Sequence, residues 1–270
     1  MNLQDRVVVI TGAAGGIGRA TALAFAKQGA RIAACDLDQA RLDALGAELG
    51  DRALVLRRVD VADRGQMSAF AGAVHALAPA ADVLVNNAGV AVGGLFVDTT
   101  LDNWDWILNI NLRGVVHGCH FFIPQMIEAK RGGHIANLSS VLGIVPLPNL
   151  SAYVATKFAV RGFSQALREE LAPHKIGVTA ICPGMINTAI VTSSRIAGKT
   201  SERREMVTER FHKSGSPPEK VAAAILDSVR TNPAVRTVGT DARVMAAVTR
   251  LAPRVMAMLG SQLQRRFGVI

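Results

Sequence analysis

The stretch Val7-Val8-Val9-Ile10-Thr11-Gly12-Ala13-Ala14-Gly15-Gly16-Ile17-Gly18 passes from a continuous β-branched run into a glycine-rich turn. An unbroken apolar run is the pattern of a strand buried on both faces. Residues Ile17–Lys27, directly after the turn, have helical spacing. Glycines placed there let the chain turn tightly, approach a phosphate closely and open a helix whose first N–H groups face an anion. A glycine cluster alone carries little, since any tight turn wants glycine. Its place between strand and helix gives it meaning. No G-K-[ST] follows, which excludes a P-loop.

Working outward, the alternation repeats. Strands are expected at Val7–Ile10, Arg31–Cys35, Ala53–Val59, Val83–Val85, His134–Leu138, Val178–Ile181 and Val235–Val238. Helices are expected at Ile17–Lys27, Ala40–Leu49, Gln66–Leu77, Trp104–Ala129 and Ala155–Leu171. This order predicts an α/β chain with a mostly parallel seven-stranded sheet and helices on both faces. Right-handed crossovers make it doubly wound, with the ligand crevice at the carboxyl ends of the strands. At 270 residues, half of them hydrophobic, one large domain with a substantial core is expected.

Asp36 stands at the end of the second strand. A carboxylate there can accept both ribose hydroxyls of NAD and would repel the extra phosphate of NADP. The nearby positions where an NADP enzyme would place a cation hold Gly15 and Leu37. A helix cap is the alternative reading of Asp36, but Asp38 is better placed for that. The cofactor expected is NAD, with NADP the second choice.

Further motifs stand along the chain: Asn86-Asn87-Ala88-Gly89, Ser140 thirteen residues before Tyr153, Tyr153-Val154-Ala155-Thr156-Lys157, and Pro183-Gly184 after the sixth strand. Together with Thr11–Gly18 they fit T-G-x-x-x-G-x-G, N-N-A-G, Y-x-x-x-K and P-G in order. The chain thus resembles the short-chain dehydrogenase/reductase family, a single-domain Rossmann fold, over about residues 5 to 240. Each motif is common alone; the ordered set is specific.

The chemistry can also be argued from the residues. Tyr153 and Lys157 are four apart and share a helix face. A phenol of ordinary pKa is a poor base, and a nearby ammonium would draw it toward the working range. Tyr153 is the only tyrosine in the chain. The resemblance implies that Tyr153 is the acid/base and that Lys157 holds the nicotinamide ribose. It implies that Ser140, rather than Ser139, bonds the substrate oxygen, and that Asn111, rather than Asn109, holds a water of the proton relay. It extends the cofactor contacts to Gly12, Gly15, Gly16, Ile17, Gly18, Asp36, Leu37, Asp60, Val61, Asn87, Ala88 and Gly89. Beyond these it implies Tyr153, Lys157, Pro183, Gly184, Ile186 and Thr188. Asn86 and Asn87 have an alternative structural role, bonding across strands.

Other features bound the function. The net charge of +9 is spread along the chain without a recognisable nucleic-acid module, so no nucleic-acid partner is expected. Cys35, Cys119 and Cys182 lie far apart in apolar runs and read as buried free thiols of a cytoplasmic protein. His117 and His120 read as a packed helix face, not a metal site. Neither a secretory leader nor a membrane-spanning run is expected.

The substrate mouth is expected from Gly143–Leu150, Met185 and a lid over about residues 188–215. Its apolar start favours a lipophilic secondary alcohol or ketone. A 3-oxoacyl carrier-protein reductase using NADPH, a sugar or polyol dehydrogenase, and a non-catalytic NAD-binding sensor are alternatives. A sugar-nucleotide epimerase is disfavoured, because those relatives usually carry a longer C-terminal domain.

The domain is expected over residues 1–240 and a helical extension over 241–270. Val244, Val248, Leu251, Val255 and Leu259 fall at helical spacing there, and Pro253 interrupts the run. Packing is the plainer reading of the extension, and contact with an anionic membrane surface the sharper one. The resemblance also implies a homo-oligomer, tetramer or dimer, built partly from the two long helices.

Overall fold

A computed structural model describes residues 1–190, 192–198, 205, 208–209, 213–252 and 254. Its strands are β1 (Val7–Thr11), β2 (Arg31–Asp36), β3 (Ala53–Arg58), β4 (Val83–Asn86), β5 (Val92–Gly93), β6 (Gly133–Leu138), β7 (Ile176–Pro183), β8 (Arg195–Ile196) and β9 (Val235–Val238). Seven of them form one sheet in the order β3-β2-β1-β4-β6-β7-β9. Every pairing in it is parallel. At the centre Val8 lies between Ile32 and Val83, so the run that opens the sequence fills the middle of the sheet.

The helices are α1 (Gly16–Lys27), α2 (Gln39–Leu49), α3 (Arg64–His75), α4 (Leu101–Leu108), α5 (Gly114–Glu128), α6 (Ser151–Leu171), α7 (Pro218–Thr231) and α8 (Thr240–Leu251). One core layer joins the sheet to α1, α2 and α7 through Phe25, Leu42, Leu45, Val221 and Ile225. The other joins it to α3, α5 and α6 through Met67, Phe70, Phe122, Val160 and Leu167. Phe25, Phe70 and Phe122 are fully buried, and burying each such ring contributes about 1.5–3 kcal/mol. This is the doubly wound α/β domain that the alternation predicts. The chain changes faces between β3 and β4, so the crevice opens at the carboxyl ends of β1 and β4.

Four elements depart from expectation. The helix expected over Trp104–Ala129 is broken by a π turn at Asn109–Arg113, which separates α4 from α5. Helix α6 begins at Ser151, ahead of the expected Ala155, and so contains Tyr153. Helix α7, which opens at Pro218, is not among the expected helices. A small parallel pair, β5 with β8, adds Val92–Gly93 to Arg195–Ile196. Helix α8 carries Val244 and Leu251 of the periodic run, both exposed; Val255 and Leu259 lie outside the described residues.

Candidate functional site

The turn after β1 is shaped by two glycines in the left-handed region, Gly12 at φ +63° and Gly16 at φ +50°. A Cβ on Gly12 would meet the Ala88 Cα at 2.7 Å, so only glycine lets β1 and β4 close on each other here. Asn87 fixes that closure: its amide nitrogen donates to the Thr11 carbonyl (3.0 Å) and the Gly12 carbonyl (2.8 Å). The Thr11 hydroxyl in turn accepts from the Asn87 and Ala88 N–H groups. Asn86 bridges β4 to β6 by donating to the Asn137 side chain at 2.8 Å. Both asparagines therefore have the structural role that their position allowed.

Between these elements runs a cleft of about 310 Å³. Of the expected cofactor residues, Gly12, Gly15, Gly16, Ile17, Asp36, Leu37, Asp60, Val61, Asn87, Ala88, Gly89 and Thr188 line it. Gly18 does not; it packs under Gly12 and Asn87, where a Cβ would overlap the Gly12 carbonyl. Asp36 accepts the Ala14 N–H at 2.9 Å on one oxygen and the Asp38 N–H at 3.1 Å on the other. Asp38 caps α2 by accepting from the Arg41 N–H, which leaves Asp36 facing the cleft.

At the carboxyl end of β6 the acid/base candidates converge. Tyr153 lies in the first turn of α6, with the Ser140 side chain near enough to act on its hydroxyl. Ser140 also accepts the Leu142 N–H at 3.1 Å. Ser139 points elsewhere, donating to the Lys157 carbonyl at 2.8 Å. Lys157 is buried, donates to the Leu138 carbonyl at 2.9 Å and lies 5.6 Å from the Tyr153 ring centre.

The electrostatics differ from expectation. Burial pushes Tyr153 up to about 12 and Lys157 down to about 8, with the neighbouring Ser140 side chain pulling the phenol back. The ammonium does not draw the tyrosine down, because it is turned to a backbone carbonyl and is itself desolvated. A second device favours the phenolate: Tyr153 stands at the N-terminus of α6, where the helix dipole is positive.

Asn111 sits in the π turn, fully buried. Its side chain accepts the Val90 N–H (2.8 Å) and donates to the Val90 carbonyl (2.9 Å) and the Thr156 hydroxyl (3.1 Å). The amide is thus committed to the main chain of Val90 and to Thr156.

A family model for the short chain dehydrogenases matches residues 6–198. The chain belongs to the short-chain dehydrogenase/reductase family. It is 38% identical over 260 residues to "Probable oxidoreductase EphD" of Mycobacterium tuberculosis, covering 93% of this chain and 44% of that protein. The chain thus spans less than half the length of that relative. It is 37% identical to a 3-oxoacyl-[acyl-carrier-protein] reductase, FabG, of Thermotoga maritima, covering 84% of this chain and 91% of FabG. A Burkholderia phymatum short-chain dehydrogenase/reductase solved with NAD shares the fold, with a TM-score of 0.87 at 24% identity, covering 94% and 96% of the two chains.

In this short-chain dehydrogenase/reductase chain, Pro183, Gly184 and Ile186 form the segment leading to Thr188 and do not line the cleft as bounded above. The described start of the segment expected as a lid is docked: Arg195 stacks 4.0 Å over Trp106 and donates to Asn103. Most of residues 199–212 lies outside the description. Sequence reasoning missed Ala14, Arg41, Val59, Val90, Ile110, Ala189, Ile190 and Ser193 as lining residues. Arg41 was open to discovery, since a cap at Asp38 places residue 41 one turn on, beside the glycine turn. The guanidinium lies 3.7 Å from where a Gly15 Cβ would stand. A cation is therefore near the ribose end of the cleft after all.

Proposed function

We propose that this oxidoreductase interconverts a secondary alcohol and a ketone with NAD(H) as cofactor. The observation that carries the reading is Tyr153 beside Ser140 and buried Lys157, whose Nζ lies 3.4 Å from where a Cβ on the cleft residue Gly89 would stand. The cleft residues fit a dinucleotide: two left-handed glycines bring backbone close, a helix N-terminus faces the phosphate position, and Asp36 offers acceptors at the ribose position. When bound, the nicotinamide supplies the hydride acceptor or donor.

The residues of the chain do the rest. Ser140 orients the substrate oxygen, and Tyr153 removes its proton as the C–H bond breaks, or returns it in reduction. Lys157, held at about 8, relays that proton at mildly alkaline pH. Asp36 supports NAD, while Arg41 narrows the discrimination against NADP. The apolar, partly exposed Leu142 and Ile144, next in the chain to Ser140, favour a lipophilic substrate. Assembly through α5 and α6 into a tetramer or dimer belongs to the same reading.

A second reading, a 3-oxoacyl carrier-protein reductase, is favoured by the FabG relative and shares the reaction class. The deciding experiment follows NADH and NADPH formation at about pH 8, where Lys157 titrates, with lipophilic, polar and 3-hydroxyacyl alcohols. Turnover is expected with NAD and a lipophilic alcohol, and Tyr153→Phe should lower it by about 10²–10⁴-fold. Undiminished turnover in that variant would overturn the mechanism. Preference for 3-hydroxyacyl substrates with NADP would establish the second reading.

A further inference from the structure

The segment Pro183–Thr188 is pinned from both sides through its backbone. Gly184 N–H donates to the Val238 carbonyl at 2.9 Å. On the other side Ser216 N–H donates to the Met185 carbonyl, and Asn187 N–H to the Ser216 carbonyl, both at 2.9 Å. The far end, Thr188, packs against Gly16 of the glycine turn. One pin comes from a side chain beyond the family-like region. The Asp241 carboxylate, in the first turn of α8, accepts the Met185 N–H at 2.8 Å.

The same carboxylate sits against Gly184 so closely that a Cβ there would overlap it. Gly184 has an ordinary backbone conformation, so its lack of a side chain is demanded by Asp241 and not by φ. One residue on, fully buried Ala242 and half-buried Met245 pack on Val141 and Val145, in the loop that carries Ser140. The first turn of α8 therefore touches both segments that must be held in register: the one ending at Thr188 and the one starting at Ser140.

We propose that Asp241 is a positioning residue, which fixes the Pro183–Thr188 segment over the cofactor cleft and makes the start of the C-terminal extension part of the active site. The inference rests on the nicotinamide-dependent reading for its effect on function, and on the Met185 and Gly184 contacts alone for its structural content. Removing the acceptor frees the Met185 N–H and lets the segment rise from the cleft. The cost then falls on binding at the nicotinamide end, not on the proton chemistry of Tyr153.

The test uses the full chain with Asp241→Ala, Asp241→Asn, Gly184→Ala and the Gly184→Ala/Asp241→Ala pair. The dissociation constant of NADH is read by fluorescence, and KM and kcat are read separately. Loss of a hydrogen bond to a charged acceptor predicts about a tenfold rise in the NADH constant and KM for Asp241→Ala, with kcat falling less. Asp241→Asn, which keeps an oxygen acceptor, should recover most of the loss. Gly184→Ala should weaken binding in the parent and add little in the Asp241→Ala background, because the clashing carboxylate is gone.

Hydrogen exchange of a peptide containing Met185 reports the clamp without any cofactor, and Asp241→Ala should speed it selectively. Additive effects of the pair, or unchanged exchange at Met185, would overturn the proposal. Equal loss in Asp241→Asn and Asp241→Ala would overturn it too. Failure of the parent chain to bind either dinucleotide would instead remove the functional reading and the positioning role with it, while the exchange result still decides the clamp.

Discussion

Replacing Asp36 with alanine is the sharpest test of the cofactor assignment. Each carboxylate oxygen already accepts one backbone N–H, from Ala14 and from Asp38, so the carboxylate is fixed in place with lone pairs left toward the cleft. Two ribose hydroxyls donating to those lone pairs, at a conservative 1.5 kcal/mol each, predict a loss in kcat/KM for NAD of about a hundredfold. For NADP the sign reverses. A phosphate of about −2 charge near a carboxylate is repelled by about 2 kcal/mol even at the dielectric of water, so its removal predicts a gain of about thirtyfold. The preference for NADP over NAD should thus change on the order of a thousandfold. The assay is kcat/KM for both dinucleotides in the parent and variant, at low and high salt. The NADP gain should shrink at high salt, because the site is open to solvent. Equal losses for both dinucleotides would refute the reasoning, reducing Asp36 to a clasp for Ala14 and Asp38. An NADP preference in the parent would show that Arg41 outweighs it.

Two structural predictions complete those made for Tyr153 and Asp241. Gly118→Ala pushes a methyl into the Asn86 carbonyl oxygen where that side chain bridges β4 and β6. It should cost about 1–3 kcal/mol, read as a lowered urea midpoint; an unchanged midpoint would mean the sheet gives way freely. Burial first, and Arg168 second, hold His134 down to about 4 against an ordinary 6.5. Its folded value being depressed, the unfolded chain takes up the proton first, so stability falls as pH drops from 6.5 to 4. The slope from this group is at most about 1.4 kcal/mol per pH unit, and His134→Gln should flatten it in urea titrations across that range.

Much of this protein is local information. The apolar run Val7–Thr11, the glycines behind it, the apolar strands at regular intervals and the order of the motifs determine the doubly wound sheet. They also place Asp36, Ser140, Tyr153 and Lys157 at its carboxyl edge. Each of these depends on periodicity, on a backbone conformation or on a helical spacing, which neighbouring residues can express. The tertiary structure decided what depends on distant partners. The carbonyl and N–H of Val90 absorb the side chain of Asn111, so the helix widens into a π turn exactly where an unbroken amphipathic run predicted continuity. Folding brings Asp241 across to Met185 and Gly184, a contact that no spacing in the chain announces. Burial, finally, reverses the expected balance between Tyr153 and Lys157, because desolvation is a property of the assembled core and not of the Y-x-x-x-K spacing.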